Sequence, residues 1–211
     1  MSKRVKKLIL LTLLCVTTIY AAPAASLIEG RIYLKNGSII ECTGNDRLQL
    51  PKKSGKLKIF RNAFQKTKTK ELISVVDIDS VICWHTKSPE HLRKLVFEQD
   101  PGWMWVYVET PHITACIYSK KGYSIDTNGG MLVLQRHGWF SHSRVGYFLQ
   151  KCGESGFQNI GSAYHRSKDS FRERIACYID DDPELAGRIR QSNTYRDKTI
   201  LMLQEYDPTK H

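Results

Sequence analysis

Seven histidines, His85, His91, His112, His137, His142, His165 and His211, are the first candidates for metal ligands or general bases. A helical metal pair needs two histidines four apart and a strand pair needs them two apart, so that both rings leave one face. His137 and His142 are five apart with Gly138 between them, which suits neither. The chain has no C-x-x-C, H-E-x-x-H or G-x-S-x-G, and no S-x-x-K followed by K-T-G. A cysteine hydrolase needs a thiol facing a histidine, and Cys116 with His137 is the pair that neighbouring strands could bring together. Asp180, Asp181 and Asp182 are adjacent acids, but Pro183 follows them, which is the pattern of a helix start with an acidic cap and proline in the first turn. Gly129-Gly130 belongs to a hairpin turn rather than to a phosphate-cradling loop. These residues imply no catalytic group, no metal and no cofactor.

Two other sets of residues point to binding. Residues 47–70 hold Arg47, Lys52, Lys53, Lys56, Lys58, Arg61, Lys66, Lys68 and Lys70, with no Asp or Glu. Such a segment meets anionic surfaces by steering and counterion release. It lacks the aromatic and glycine pattern of a nucleic-acid platform, so nucleic acid is not the expected partner. The second set is Trp103, Trp105 and Tyr107, which alternation places on one face of a strand, with Met104, Val106 and Val108 on the other. If exposed, that face is a flat platform for sugar rings or a protein partner; if turned inward, it is core. Trp103, Trp105, Lys52, Lys53, Lys56 and Lys58 are therefore the candidate ligand-binding residues.

The chain begins with an address. Lys3, Arg4, Lys6 and Lys7 precede the apolar run from Leu8 to Tyr20, and Ala21, Ala22, Ala24 and Ala25 follow it. That is the three-part pattern of a secretory signal peptide over residues 1–24, with Ala22 and Ala24 in the A-x-A positions and cleavage after Ala21 as the alternative. The apolar run is too short for a membrane span, which needs about 20 residues. Leu14 stands where a lipobox before Cys15 would have a small residue, so Cys15 reads as part of the leader. The whole chain has 211 residues with 32 bases and 21 acids; the leader takes four of the bases and no acid, leaving a surplus of seven. The mature protein is expected in the periplasm, outside the cell or in the cell envelope, with no transmembrane segment. Five cysteines would remain, an odd number, so at least one is unpaired or bridges two chains. Cys42, Cys83 and Cys116 lie in apolar runs and read as buried thiols.

The elements behind these residues change period along the chain. Residues 25–150 read as an antiparallel β-rich body, sandwich or barrel-like: short β-branched runs are separated by turns such as Lys35-Asn36-Gly37, Lys120-Lys121-Gly122 and Asn128-Gly129-Gly130. Residues 89–95 read as either a helical turn or a loop. Residues 151–166, rich in Gly and Ser, read as a connector. Residues 167–211 read as short helices: Ser167 is a candidate cap, Phe171, Ile175, Tyr178 and Ile179 recur at helical spacing, and Leu185 and Ile189 follow the Asp182-Pro183 start. The fold class is α+β, a β-rich body followed by a small helical tail.

Ile78-Asp79-Ser80-Val81 with Trp84-His85, Ser124 to Gly130, and Phe171-Arg172-Glu173-Arg174 followed by Asp181 to Leu185 resemble a group of small exported proteins of the Bacteroidetes. The resemblance covers most of the mature chain. It implies export and a β-rich body with a helical tail, and it brings no catalytic residues. The expected function is a non-catalytic binding or structural module whose partner is an anionic or glycan component of the envelope, or another envelope protein. The alternative is a hydrolase acting on glycan or peptide.

Overall fold

A computed structural model describes residues 27–51, 55–134, 145–162 and 167–210. Residues 1–26, which include the expected leader, and Lys52, Lys53, His137, Trp139, His142, His165 and His211 lie outside the described residues. The strands are β1 (Leu27–Leu34), β2 (Ile39–Cys42), β3 (Arg47–Gln49), β4 (Lys56–Arg61), β5 (Thr69–Ser74), β6 (Ile78–His85), β7 (Ser88–Phe97), β8 (Trp103–Glu109), β9 (Ile113–Ser119), β10 (Tyr123–Ile125), β11 (Met131–Val133), β12 (Val145–Lys151) and β13 (Gln158–Ser162). Helices α1 (Lys168–Tyr178), α2 (Pro183–Gln191) and α3 (Arg196–Leu201) follow.

Eleven strands form one antiparallel sheet in the order β13-β12-β9-β8-β7-β6-β1-β3-β4-β5, with β2 also bonded to β1. The sheet is open rather than closed into a barrel. Its hub is β1, which pairs with β6 along one edge and with both β2 and β3 along the other. The β1–β2 hairpin turns at Asn36-Gly37, where Gly37 takes φ +83°, a region open to glycine at no steric cost.

The register runs one apolar row across six strands: Ile32, Val81, Leu95, Trp105, Ile117 and Tyr147 sit opposite one another in turn. This row lines the covered face. Over its β9–β12 end lie the helices, with Phe171, Ile175, Ile179, Leu185, Ile189, Ile200 and Leu203 buried against Ala115, Ile117 and Leu149. Over its β1–β7 end lie the β10–β11 hairpin and the inner side of β3 and β4, with Leu48, Leu57, Ile59, Tyr123 and Ile125 buried against Ile32, Val81 and Leu95. Trp105 and Val133 pack against both cores. Ser167 caps α1 by accepting from the Ser170 N–H, and Asp182 caps α2 by accepting from the Leu185 N–H, with Pro183 in the first turn.

Four local readings change. Val108 does not stay with Met104 and Val106. The ladder shifts between Val106 and Val108, Val108 pairs with Ala115, and its side chain enters the helix-covered core. A β-bulge places one extra residue in a strand and so reverses the faces beyond it. Residues 89–95 belong to β7, held by pairing with β6 and β8 rather than by local propensity. The stretch read as a connector carries β13, which pairs with β12. Strands β10 and β11 leave the main sheet as a separate hairpin, fixed by Arg93 Nε donating to the Gly129 carbonyl at 2.9 Å.

Candidate functional site

The ribbon β3–β4–β5 ends the sheet on one side. Alternation sends Leu57 and Ile59 of β4 inward, both fully buried, and Lys56 and Lys58 outward. Residues directly opposite across a pair share a face. The outer face therefore carries Arg47, Phe60 and Lys70 in one row, and Gln49, Lys58 and Leu72 in the next. Glu71, the acid of β5, sits opposite Ile59 on the other side, where it accepts from Arg61 Nε at 3.2 Å.

The two arginines of the basic segment are spent on structure. Arg47 is buried; it pairs with Glu29 at 3.3 Å and donates to the carbonyls of Gly44 and Asp46. Arg61 pairs with Asp46 at 2.7 Å and also donates to the Glu41 carbonyl. The lysines differ. Lys58, Lys66, Lys68 and Lys70 are exposed, and none forms an ion pair among the described residues. Lys68 lies over the Phe60 ring, 4.3 Å from its centroid. Lys56 is exposed as well. Lys52 and Lys53 lie outside the described residues, ahead of β4 in the chain.

The β4–β5 loop is anchored at its root. The Asp46 carboxylate accepts from Arg61 Nη1 and from the Asn62 N–H at 3.0 Å, and Ala63 N–H donates to the Asn45 carbonyl at 2.8 Å. The Arg61 hydrogen bond, then the Asn62 amide, holds Asp46 below its ordinary pKa. Two successive turns, Gln65 N–H to the Asn62 carbonyl and Lys68 N–H to the Gln65 carbonyl, then raise Phe64 to the tip. Phe64 is 70% exposed and its ring lies against the Arg47 guanidinium, 4.9 Å away, on the same face as Phe60 and Lys70. Leu72, 48% exposed, lies beside Lys58 on that face. Aromatic and aliphatic groups thus do accompany the lysines. The sequence clue was Phe64, the one aromatic residue between Asn62 and Lys70, where no alternation accounts for it.

The tryptophan platform is not open. Trp103 is 1% exposed and packs edge-on against Phe97 at 5.4 Å, inside the core beneath the β10–β11 hairpin. Trp105 is half-buried and stacks edge-on against Tyr107 at 4.9 Å. Their face is the covered face of the sheet, so Trp103 cannot present a ring to a ligand. Trp84 is buried and donates to Glu29.

The cysteine and histidine candidates disperse. Cys116 is buried on the face of the sheet opposite the helices, in a small cluster with Met104 and Phe148, and burial pushes its thiol well above the ordinary range. Burial likewise pushes Cys42 up to about 11 and Cys83 up to about 12. Cys152 and Cys177 are exposed, and all five described cysteines are free thiols. His91 lies beside Glu90 and His112 beside Asp207, each on the surface. Among the described residues no group of three His, Cys, Asp or Glu side chains converges as a metal site.

A shallow trough of about 580 Å³ runs between β13 and α1, lined by Glu154, Asn159, Glu173, Arg174, Cys177 and Tyr178. Its charged groups and its tyrosine are already engaged. Glu173 is held by Arg190 at 3.0 Å, Tyr178 donates to Glu154, and Arg174 donates to the Ile160 carbonyl. The Arg190 hydrogen bond keeps the Glu173 carboxyl below its usual pKa, so it is a poor base for the Cys177 thiol 3.2 Å away.

No family model, no curated protein and no solved structure matches this chain. No helix among the described residues is long and apolar enough to cross a membrane.

Proposed function

We propose that the chain is exported, loses its leader, and serves as a non-catalytic binding module that holds an anionic component of the cell envelope. The contact is the outer face of β3–β4–β5. The observation that carries this reading is the division of labour within the basic segment. Arg47 and Arg61 are neutralised by Glu29, Asp46 and Glu71, whereas Lys58 and Lys70 on the outer face, Lys68 over the Phe60 ring and Lys66 in the adjoining loop are exposed and form no ion pair among the described residues. Unpaired surface lysines add little to stability. Grouped on one face they add to a local positive potential that draws in anions.

The test is retention of residues 25–211 on an immobilised polyanion at 50 and 300 mM salt. Retention should fall with salt, because exposed charges are screened over about 8–10 Å at physiological ionic strength. Replacing Lys58 and Lys70 by Glu should abolish retention and leave the thermal melt unchanged. Equal retention of wild type and variant would count against this face as the contact.

A further inference from the structure

We propose that the anionic partner is a phospholipid bilayer surface, and that Phe64 and Leu72 enter its interface while the lysines meet the headgroup phosphates. This deepens the reading above and rests on it. The same face that bears Lys58 and Lys70 exposes Leu72 on the edge strand β5 and Phe64 at the loop tip. A hydrated polyanion such as an acidic polysaccharide offers phosphate, sulfate or carboxylate groups but no apolar phase. A bilayer interface offers both within a few ångströms, which is the combination that peripheral anchors use. Lys70 on β5 also protects an edge strand from pairing with another chain, but that role calls for no exposed phenylalanine.

The geometry suits insertion. Phe64 sits on a tip already fixed by Asp46, Arg61 and the Asn45 carbonyl, so little ordering entropy is lost on binding. Lys66 and Lys68 are in the same loop, with Lys70 following it, so positive charge surrounds the point of entry. Leu72 faces outward beside Lys58 and gives the apolar contact a second foot.

The experiment is co-sedimentation of residues 25–211 with vesicles of phosphatidylcholine alone or with 30% phosphatidylglycerol, alongside retention on immobilised heparin. We expect binding to the anionic vesicles and little to the neutral ones. Each lysine changed to Ala should weaken partitioning roughly fivefold. Phe64→Ser with Leu72→Ser, which leaves the charge untouched, should weaken vesicle binding by at least about tenfold, since burying such a side chain is worth that much, while heparin retention stays the same. Phe64→Trp should restore binding, which separates loss of insertion from loss of fold. Retention on heparin without vesicle binding would overturn the lipid assignment and leave the anion-binding reading standing. Binding to neither would overturn both. Vesicle binding indifferent to the Phe64 and Leu72 changes would overturn insertion.

Discussion

Replacing Asp182 by alanine should cost about 2.5 kcal/mol of stability, and the figure follows from two bonds. Asp182 is 3% exposed. Its Oδ1 accepts from the Leu185 N–H at 3.0 Å, capping α2, and its Oδ2 accepts from the Asp207 N–H at 3.2 Å, tying down the C-terminal segment. Loss of a helix cap costs about 1 kcal/mol. A hydrogen bond to a charged acceptor is worth about 1.5–3 kcal/mol, and the lower end applies because Asp207 is only partly buried. Together the two bonds account for about 2.5 kcal/mol. With a urea slope of roughly 2 kcal/mol per molar, the unfolding midpoint should drop by about 1–1.5 M. Asp182→Asn keeps a capping oxygen for Leu185 but turns a donor toward Asp207, so its loss should be about half. A loss below about 0.5 kcal/mol in the alanine variant would refute the reasoning. An asparagine variant as stable as wild type would show that the C-terminal tether contributes nothing.

Alkylation of residues 25–211 at pH 8, read by intact mass, should modify Cys152 and Cys177 quickly and reach Cys42, Cys83 and Cys116 only in denaturant; three or more labels on the native protein would contradict their burial. Gly37→Ala should cost about 1 kcal/mol, because φ is +83° but the space around a new Cβ is empty. Gly129→Ala should cost clearly more in the same thermal melts, since its Cβ would fall 2.4 Å from the His91 Cβ; equal costs would mean that the hairpin is not seated on β7. The Arg61 and Asn62 bonds depress the Asp46 pKa below the unfolded value near 3.8, so their stabilisation is complete above about pH 5 and lost as pH falls through the lower folded value. Asp46→Asn should therefore flatten the acid limb of the stability–pH curve, and an unchanged limb would discount this pair.

What could be read from the chain was what short range decides. Asn36-Gly37 announces its hairpin because the turn needs a positive φ that few residues adopt. Ser167 and Asp182-Pro183 announce their helices because a cap is satisfied within three residues. Partners far apart in sequence decided the rest. Residues 89–95 have no strand signal of their own and become β7 only between β6 and β8. The bulge beside Tyr107 exists only in the ladder with β9, so alternation misplaced Val108. The site followed the same rule. The excess of lysine was visible as composition, but the capture of Arg47 by Glu29 and the placement of Leu72 beside Lys58 depend on register. Alternation allowed Trp103 to be core or platform, with core the better reading, and the β10–β11 hairpin puts it in the core.

The indole of Trp105 belongs to both cores, and so does Val133. The two hydrophobic assemblies therefore share a wall instead of meeting at a seam. Melting either one exposes part of the surface that stabilises the other, so the basic ribbon at one end and the helices at the other should open as a single cooperative unit. A substitution beneath α1 would then loosen the lysine-bearing strands without touching them, and an anchor formed at Phe64 would slow hydrogen exchange in the helices at the opposite end of the sheet.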